Sequence, residues 1–216
     1  MMKSRIGFRA AIVLGFLGAT AIPMQVVVAD ELNVEITPFV SYRFGGTFDV
    51  EESSASYDID DSEAFGLILN LRHKGNTQFE IFYSRQQSTA RLRGSVTTSP
   101  TVETNIQVLQ LGGTYQGSGE TIRPYLAMTL GGTHIKATAN GSQSDTFWSG
   151  SIGVGVQVSP SSRLGFRLEA RAYATLMNSN TDLFCQTGPD INVCAIRIDG
   201  SIMGQVEAFA GVVFRF

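Results

Sequence analysis

The stretch Ser201-Ile-Met-Gly-Gln-Val-Glu-Ala-Phe-Ala-Gly-Val-Val-Phe-Arg-Phe216 decides how the chain is read. Successive side chains of an extended segment point to opposite sides. Counting back from Phe216, the residues Phe214, Val212, Ala210, Ala208, Val206, Gly204 and Ile202 share one side, and that side carries no charge. The other side mixes Arg215, Glu207 and Gln205 with Val213, Gly211, Phe209 and Met203. A soluble strand hides its apolar side under a second layer. A strand of a membrane barrel turns that side to lipid and its polar side inward.

Working outward, the same alternation recurs in seven earlier segments: 34–44, 64–72, 77–87, 103–116, 121–137, 146–158 and 163–177. It is clearest in the last, where Leu164, Phe166, Leu168, Ala170, Ala172, Ala174 and Leu176 oppose Arg167, Glu169, Arg171, Tyr173 and Thr175. Short connections such as His73-Lys-Gly-Asn76, Gly117-Ser-Gly119 and Ser159-Pro-Ser-Ser162 rotate with long polar ones. Two places disturb the pattern. Pro38 removes a ladder donor and hints at a bulge, and Ile106 falls on the polar side, which a bulge near Gln107 would repair.

The N-terminal stretch reads as an export signal. Lys3, Arg5 and Arg9 precede an uncharged apolar run from Ala10 to Ile22, Pro23 breaks it, and Val27-Val-Ala29 suits cleavage before Asp30. Domain assignment is therefore 1–29 signal peptide and 30–216 barrel domain. Removing three basic and no acidic residues leaves 13 basic against 19 acidic, a net charge of 13 − 19 = −6. That balance argues against a nucleic-acid partner. The remainder has no apolar run of eighteen residues, so insertion into a bilayer requires a closed sheet, which satisfies every backbone group in lipid.

An even number of alternating segments, rotating connection lengths and an export signal together predict an all-β fold: an eight-stranded antiparallel up-and-down transmembrane β-barrel. With the terminal pattern Val212, Phe214, Phe216, the chain resembles the small outer-membrane barrels of Gram-negative bacteria, the class that includes the OmpA membrane domain and OmpX. The resemblance covers the whole mature chain and is architectural. It implies residence in the outer membrane, contact with membrane lipid and lipopolysaccharide, and insertion by the barrel-assembly machinery reading Val212, Phe214 and Phe216.

The inward phases collect Glu35, Arg43, Arg72, Glu80, Arg123, Arg167, Glu169, Arg171, Glu207 and Arg215. Side chains nearly fill an eight-stranded barrel, and an unpaired buried charge costs several kcal/mol. These ten are therefore expected to pair, with Glu169 and Glu207 on adjacent strands bridging Arg167, Arg171 and neighbours. The first long connection carries Asp49, Glu51, Glu52, Asp58, Asp60 and Asp61, a solvated face or a surface cation site. Arg85, Arg91 and Arg93 form a basic patch in the second. Tyr42, Phe44, Phe147 and Trp148 at one end, with Tyr115 and Phe216 at the other, suit aromatic girdles.

Cys185 and Cys194 are expected to form a disulfide, because an exported chain meets an oxidising compartment. His73 and His134 lie in different segments and offer no metal site, and no cofactor motif is present. A lipid-modifying enzyme would need a nucleophile and an acid beside His134, whose nearest hydroxyls are Thr133 and Thr138. The function expected is non-enzymatic, a structural role in the envelope with surface loops for adhesion or interaction. The alternatives are a narrow small-solute channel and an outer-membrane lipid-modifying enzyme. The rival fold is a soluble sandwich or lipocalin-like barrel, which would have its apolar side inside.

Overall fold

A computed structural model describes residues 34–49, 56–93, 101–138, 144–177, 185–187, 192–194 and 202–216. The segment 1–33, and with it the expected signal peptide, lies outside the described residues, as do Glu51 and Glu52. In chain order the strands are β1 (Val34–Phe44), β2 (Thr47–Asp49), β3 (Ser56–Ile59), β4 (Ser62–Arg72), β5 (Thr77–Arg93) and β6 (Thr101–Gln116). They continue as β7 (Ile122–Thr138), β8 (Ser144–Val158), β9 (Leu164–Leu176), β10 (Cys185–Thr187), β11 (Asn192–Cys194) and β12 (Ile202–Arg215).

Eight of these form an antiparallel barrel. The order runs β5-β4-β1-β12-β9-β8-β7-β6, and β6 pairs back onto β5 to close it. Closure between the first and last strands is completed by Phe216, whose N–H donates to the carbonyl of Val34 at 3.0 Å. With no free edge in the cylinder, every strand has two neighbours to take its ladder donors and acceptors.

Neither expected bulge is present. Across Gln107 the pairing runs unbroken, Ile106↔Ile135, Gln107↔His134, Val108↔Thr133. Ile106 simply faces the interior, fully buried. At Pro38 the register against β12 is the same on both sides, Ile36↔Phe214 and Phe39↔Gly211, with a gap in the ladder but no extra residue. A missing N–H interrupts hydrogen bonding without needing to shift the strand.

The outer surface is apolar. Leu130, Trp148, Val40, Val154 and Leu168 are more than half exposed, while Arg43, Arg171 and Glu207 are fully buried. That inversion of the soluble pattern is what a lipid solvent requires. Tyr42, Phe44, Trp148, Tyr115 and Phe216 lie exposed on the outside as girdle residues should. Phe147 does not: it is 4% exposed and faces the lumen, because its neighbour Trp148 takes the outward phase.

The interior has two chemical zones. One is apolar, with Phe39 stacked on Phe209 at 4.5 Å and on Phe82 at 5.5 Å between ring centroids. Ile68, Ile106, Val108, Ile135 and Phe147 extend it. Glycine makes the room: a Cβ on Gly66 would lie 2.4 Å from the Phe39 ring. The other zone is ionic.

Candidate functional site: the lumen charge network

Inward-facing residues from β5 and β9 build the centre of the network. Glu80 projects from β5, and Arg167, Glu169 and Arg171 project from alternate positions of β9. Each arginine bridges both carboxylates. Arg167 donates to Glu80 at 2.9 Å and to Glu169 at 2.8 Å; Arg171 donates to Glu80 at 2.7 Å and to Glu169 at 2.5 Å. Two acids and two bases thus alternate around a closed ring of contacts, with side chains at most 1% exposed.

Uncharged neighbours complete it. Tyr125 donates its hydroxyl to Glu169 at 2.7 Å and accepts from Arg167 Nε at 2.8 Å. Thr114 donates to Glu80 at 2.6 Å, and Asn70 accepts from Arg167 at 3.0 Å. The arginine planes also lie over rings, Arg171 at 4.1 Å from the Phe82 centroid and Arg167 at 4.3 Å from Tyr125. Such contacts strengthen when desolvated. Gly153 on β8 is small for a reason: a Cβ there would fall 2.1 Å from Glu169 Oε1.

Two further pairs flank the ring. Arg43 donates to Glu207 at 3.1 Å, directly across the β1–β12 ladder, with Ser41 and Tyr173 also donating to that carboxylate. Arg215 donates to Glu35 at 2.7 Å near the end carrying the short turns. Of the ten charges expected in the lumen, these eight are paired, four carboxylates against four guanidiniums. Arg72 and Arg123 are not among them. Arg72 is exposed and Arg123 half-buried at the short-turn mouth.

Glu169 bridges Arg167 and Arg171 as expected, and Glu207 bonds a neighbouring guanidinium. Glu207 takes Arg43 and not Arg171, although Glu207 and Arg171 are also register partners. Arg171 turns instead to Glu80, which reaches it from across the barrel. Strand alternation assigns a side but not a partner on a distant strand. It also places Asn70, Thr114, Tyr125 and Tyr173 inward without showing that they serve the ion pairs.

Outside the bilayer band, the acidic and basic connections come together. Residues 56–59 pair with 90–93, so Asp58 faces Arg91, and Asp60 forms an ion pair with Arg91 at 2.8 Å. Asp61 accepts from the N–H of Gly45 at 2.9 Å. Asp49 is described only in its backbone, opposite Ser56. Among the described residues no group of three or more His, Cys, Asp or Glu is placed to hold a cation. Cys185 and Cys194 are direct partners in the two-stranded β10–β11 ladder; their side chains lie outside the described residues. His134 shares a hydrogen bond with Thr146 at 2.9 Å on the exposed side.

A closed cylinder of eight strands, apolar without and ion-paired within, defines a small transmembrane barrel. Residues 12–192 match the outer membrane protein beta-barrel domain family, and the chain belongs to it. Solved structures that share the fold include the following two. Neisserial surface protein A is similar at 11% identity and a TM-score of 0.56, covering 85% of this chain and 97% of that one. The outer membrane protein OprG from Pseudomonas aeruginosa is similar at 10% identity and a TM-score of 0.53, covering 86% and 97%. No curated protein sequence matches the chain.

Proposed function

We propose that this barrel is a non-conducting, non-enzymatic element of the outer membrane, which supports envelope integrity and holds surface loops for adhesion or interaction. One observation carries the reading. The Glu80–Arg167–Glu169–Arg171 ring spans the lumen between β5 and β9, and the Phe39, Phe82 and Phe209 rings stack beside it. A solute or ion crossing the barrel has to break paired charges that are out of water, at several kcal/mol per ion. The non-enzymatic reading draws on His134, which has a threonine hydroxyl and no acid as hydrogen-bond partner among the described residues.

Insertion, on this reading, uses the Val212, Phe214 and Phe216 side of β12 as the recognition signal for the assembly machinery, and the loop end contacts lipopolysaccharide. Planar-bilayer recording tests the central claim. The protein is expected to insert, as judged by heat-modifiable gel migration of the same sample, yet give no discrete conductance steps. Regular steps from the unaltered chain, lost on blocking the lumen with bulkier side chains, would establish the channel reading instead.

A further inference from the structure

At the short-turn end, which in this class faces the periplasm, a cavity of about 300 Å³ opens between the 73–76 and 117–121 turns. Arg72 and Arg123 line it, with Gln78 and Gln116 at its inner wall, and among the described residues no carboxylate does. Neither arginine has an acidic partner among the described residues; Arg123 Nε donates only to the carbonyl of Gly119 at 2.9 Å. Glu120 stands on the same turn, exposed and outside the cavity lining.

The second observation concerns Gln78. It is 4% exposed, and its Nε2 has no hydrogen-bond partner. Its orientation is imposed by a chain of amides. Glu35, held by Arg215, can only accept, so Gln157 presents its NH2 to it at 3.3 Å. That leaves Gln157 Oε1 to accept from Gln116 at 3.2 Å, and the same Gln116 NH2 donates to Gln78 Oε1 at 3.4 Å. Inverting Gln78 would set its NH2 against the NH2 of Gln116. The Glu35–Arg215 pair therefore fixes Gln157 and Gln116, the Gln116 NH2 donates to the amides on both sides, and Gln78, its oxygen taken, is left with a buried and unpartnered NH2 beside the cavity.

We infer that this mouth is a binding site for a phosphate group, held by the guanidiniums of Arg72 and Arg123 and the side-chain NH2 of Gln78. Guanidinium forks match phosphate oxygens, and two cations balance the charge of about −1.5 to −2 on an inorganic or monoester phosphate. The phosphate could belong to a phospholipid headgroup of the inner leaflet, a diester with one negative charge, or to a soluble phosphate; both present the oxygens that guanidiniums recognise.

The test is NMR of the isotopically labelled full barrel in maltoside micelles, which carry no phosphate, titrated with inorganic phosphate at constant ionic strength. Saturable shifts of the Gln78 side-chain amide and the Arg72 and Arg123 Nε signals are expected. The double variant Arg72→Gln/Arg123→Gln and, separately, Gln78→Glu should each weaken binding at least tenfold. Heat-modifiable migration verifies folding, and either variant suffices if the other fails to fold. Added lipid separates the sources: shifts on adding phosphatidylglycerol to the micelles without inorganic phosphate identify a headgroup, whereas shifts only on adding inorganic phosphate identify a soluble ligand. Non-saturating shifts, or equal shifts in wild type and variants, together with no response to phosphatidylglycerol, overturn the proposal.

Discussion

Replacing Arg171 by Met removes the charge and keeps much of the aliphatic length. It deletes contacts to Glu80 at 2.7 Å and Glu169 at 2.5 Å, a weaker hydrogen bond to Thr129 at 3.3 Å, and the stack on Phe82. Both acids keep Arg167, but two carboxylates then share one cation in a fully buried site. Breaking a buried pair by deleting one partner costs about 3–5 kcal/mol, and because each acid retains a partner we expect the lower part of that range. Adding Glu169→Gln restores neutrality, so the double variant should be less destabilised than the two single costs added, with a coupling of about 2 kcal/mol. Urea unfolding from phosphatidylcholine vesicles measures this. Trp148, the one tryptophan in the chain and 75% exposed on the outer face, reports entry into lipid by its fluorescence. A cost for Arg171→Met below about 1 kcal/mol, or strictly additive costs, would refute a dry, mutually paired lumen.

The same assay checks three further expectations. Ile152→Arg, on the outer face opposite Met128 and Ala172, should cost about 2–4 kcal/mol if that face meets the bilayer interior; a neutral result would contradict lipid contact there. Gly153→Ala should cost about 1–3 kcal/mol, since its Cβ would press on a Glu169 already fixed by two arginines. Gly204→Ala, where a Cβ meets nothing within 4 Å, is the control and should stay within about 0.5 kcal/mol. Finally, protein purified without reductant should show no alkylatable thiol until reduced, because Cys185 and Cys194 oppose each other across a ladder; labelling of both before reduction would exclude the disulfide.

The barrel was legible in the sequence because lipid outside and a polar lumen inside impose a period of two on every strand, and β1, β9 and β12 show it almost without exception. The alternation misleads where the lumen itself is apolar. Ile106 breaks the polar phase of its strand and Phe147 reads as a girdle residue by its place near a strand end, yet both belong to the buried cluster with Ile135. Charge pairing was legible as a necessity, through the cost of burying charge, but not as a list of partners. Glu80 and Arg171 are 91 positions apart on non-adjacent strands, and only closure of the cylinder brings them together. The β2–β3 extension was missed for another reason. Its residues sit in an acidic stretch, and the ladder that orders Ser56–Ile59 is offered by the far end of β5.

That extension makes the rim uneven. β5 has 17 residues where its neighbour β4 has 11, a difference of roughly 20 Å of strand at about 3.3 Å per residue. β3 takes over beside β5 where β4 leaves off. One flank of the cylinder therefore rises as a parapet above the membrane plane, stiffened by the same backbone hydrogen bonds that hold the wall below. The residues of that ledge are already held in a ladder, so a substitution there acts on formed strand and not on loose chain.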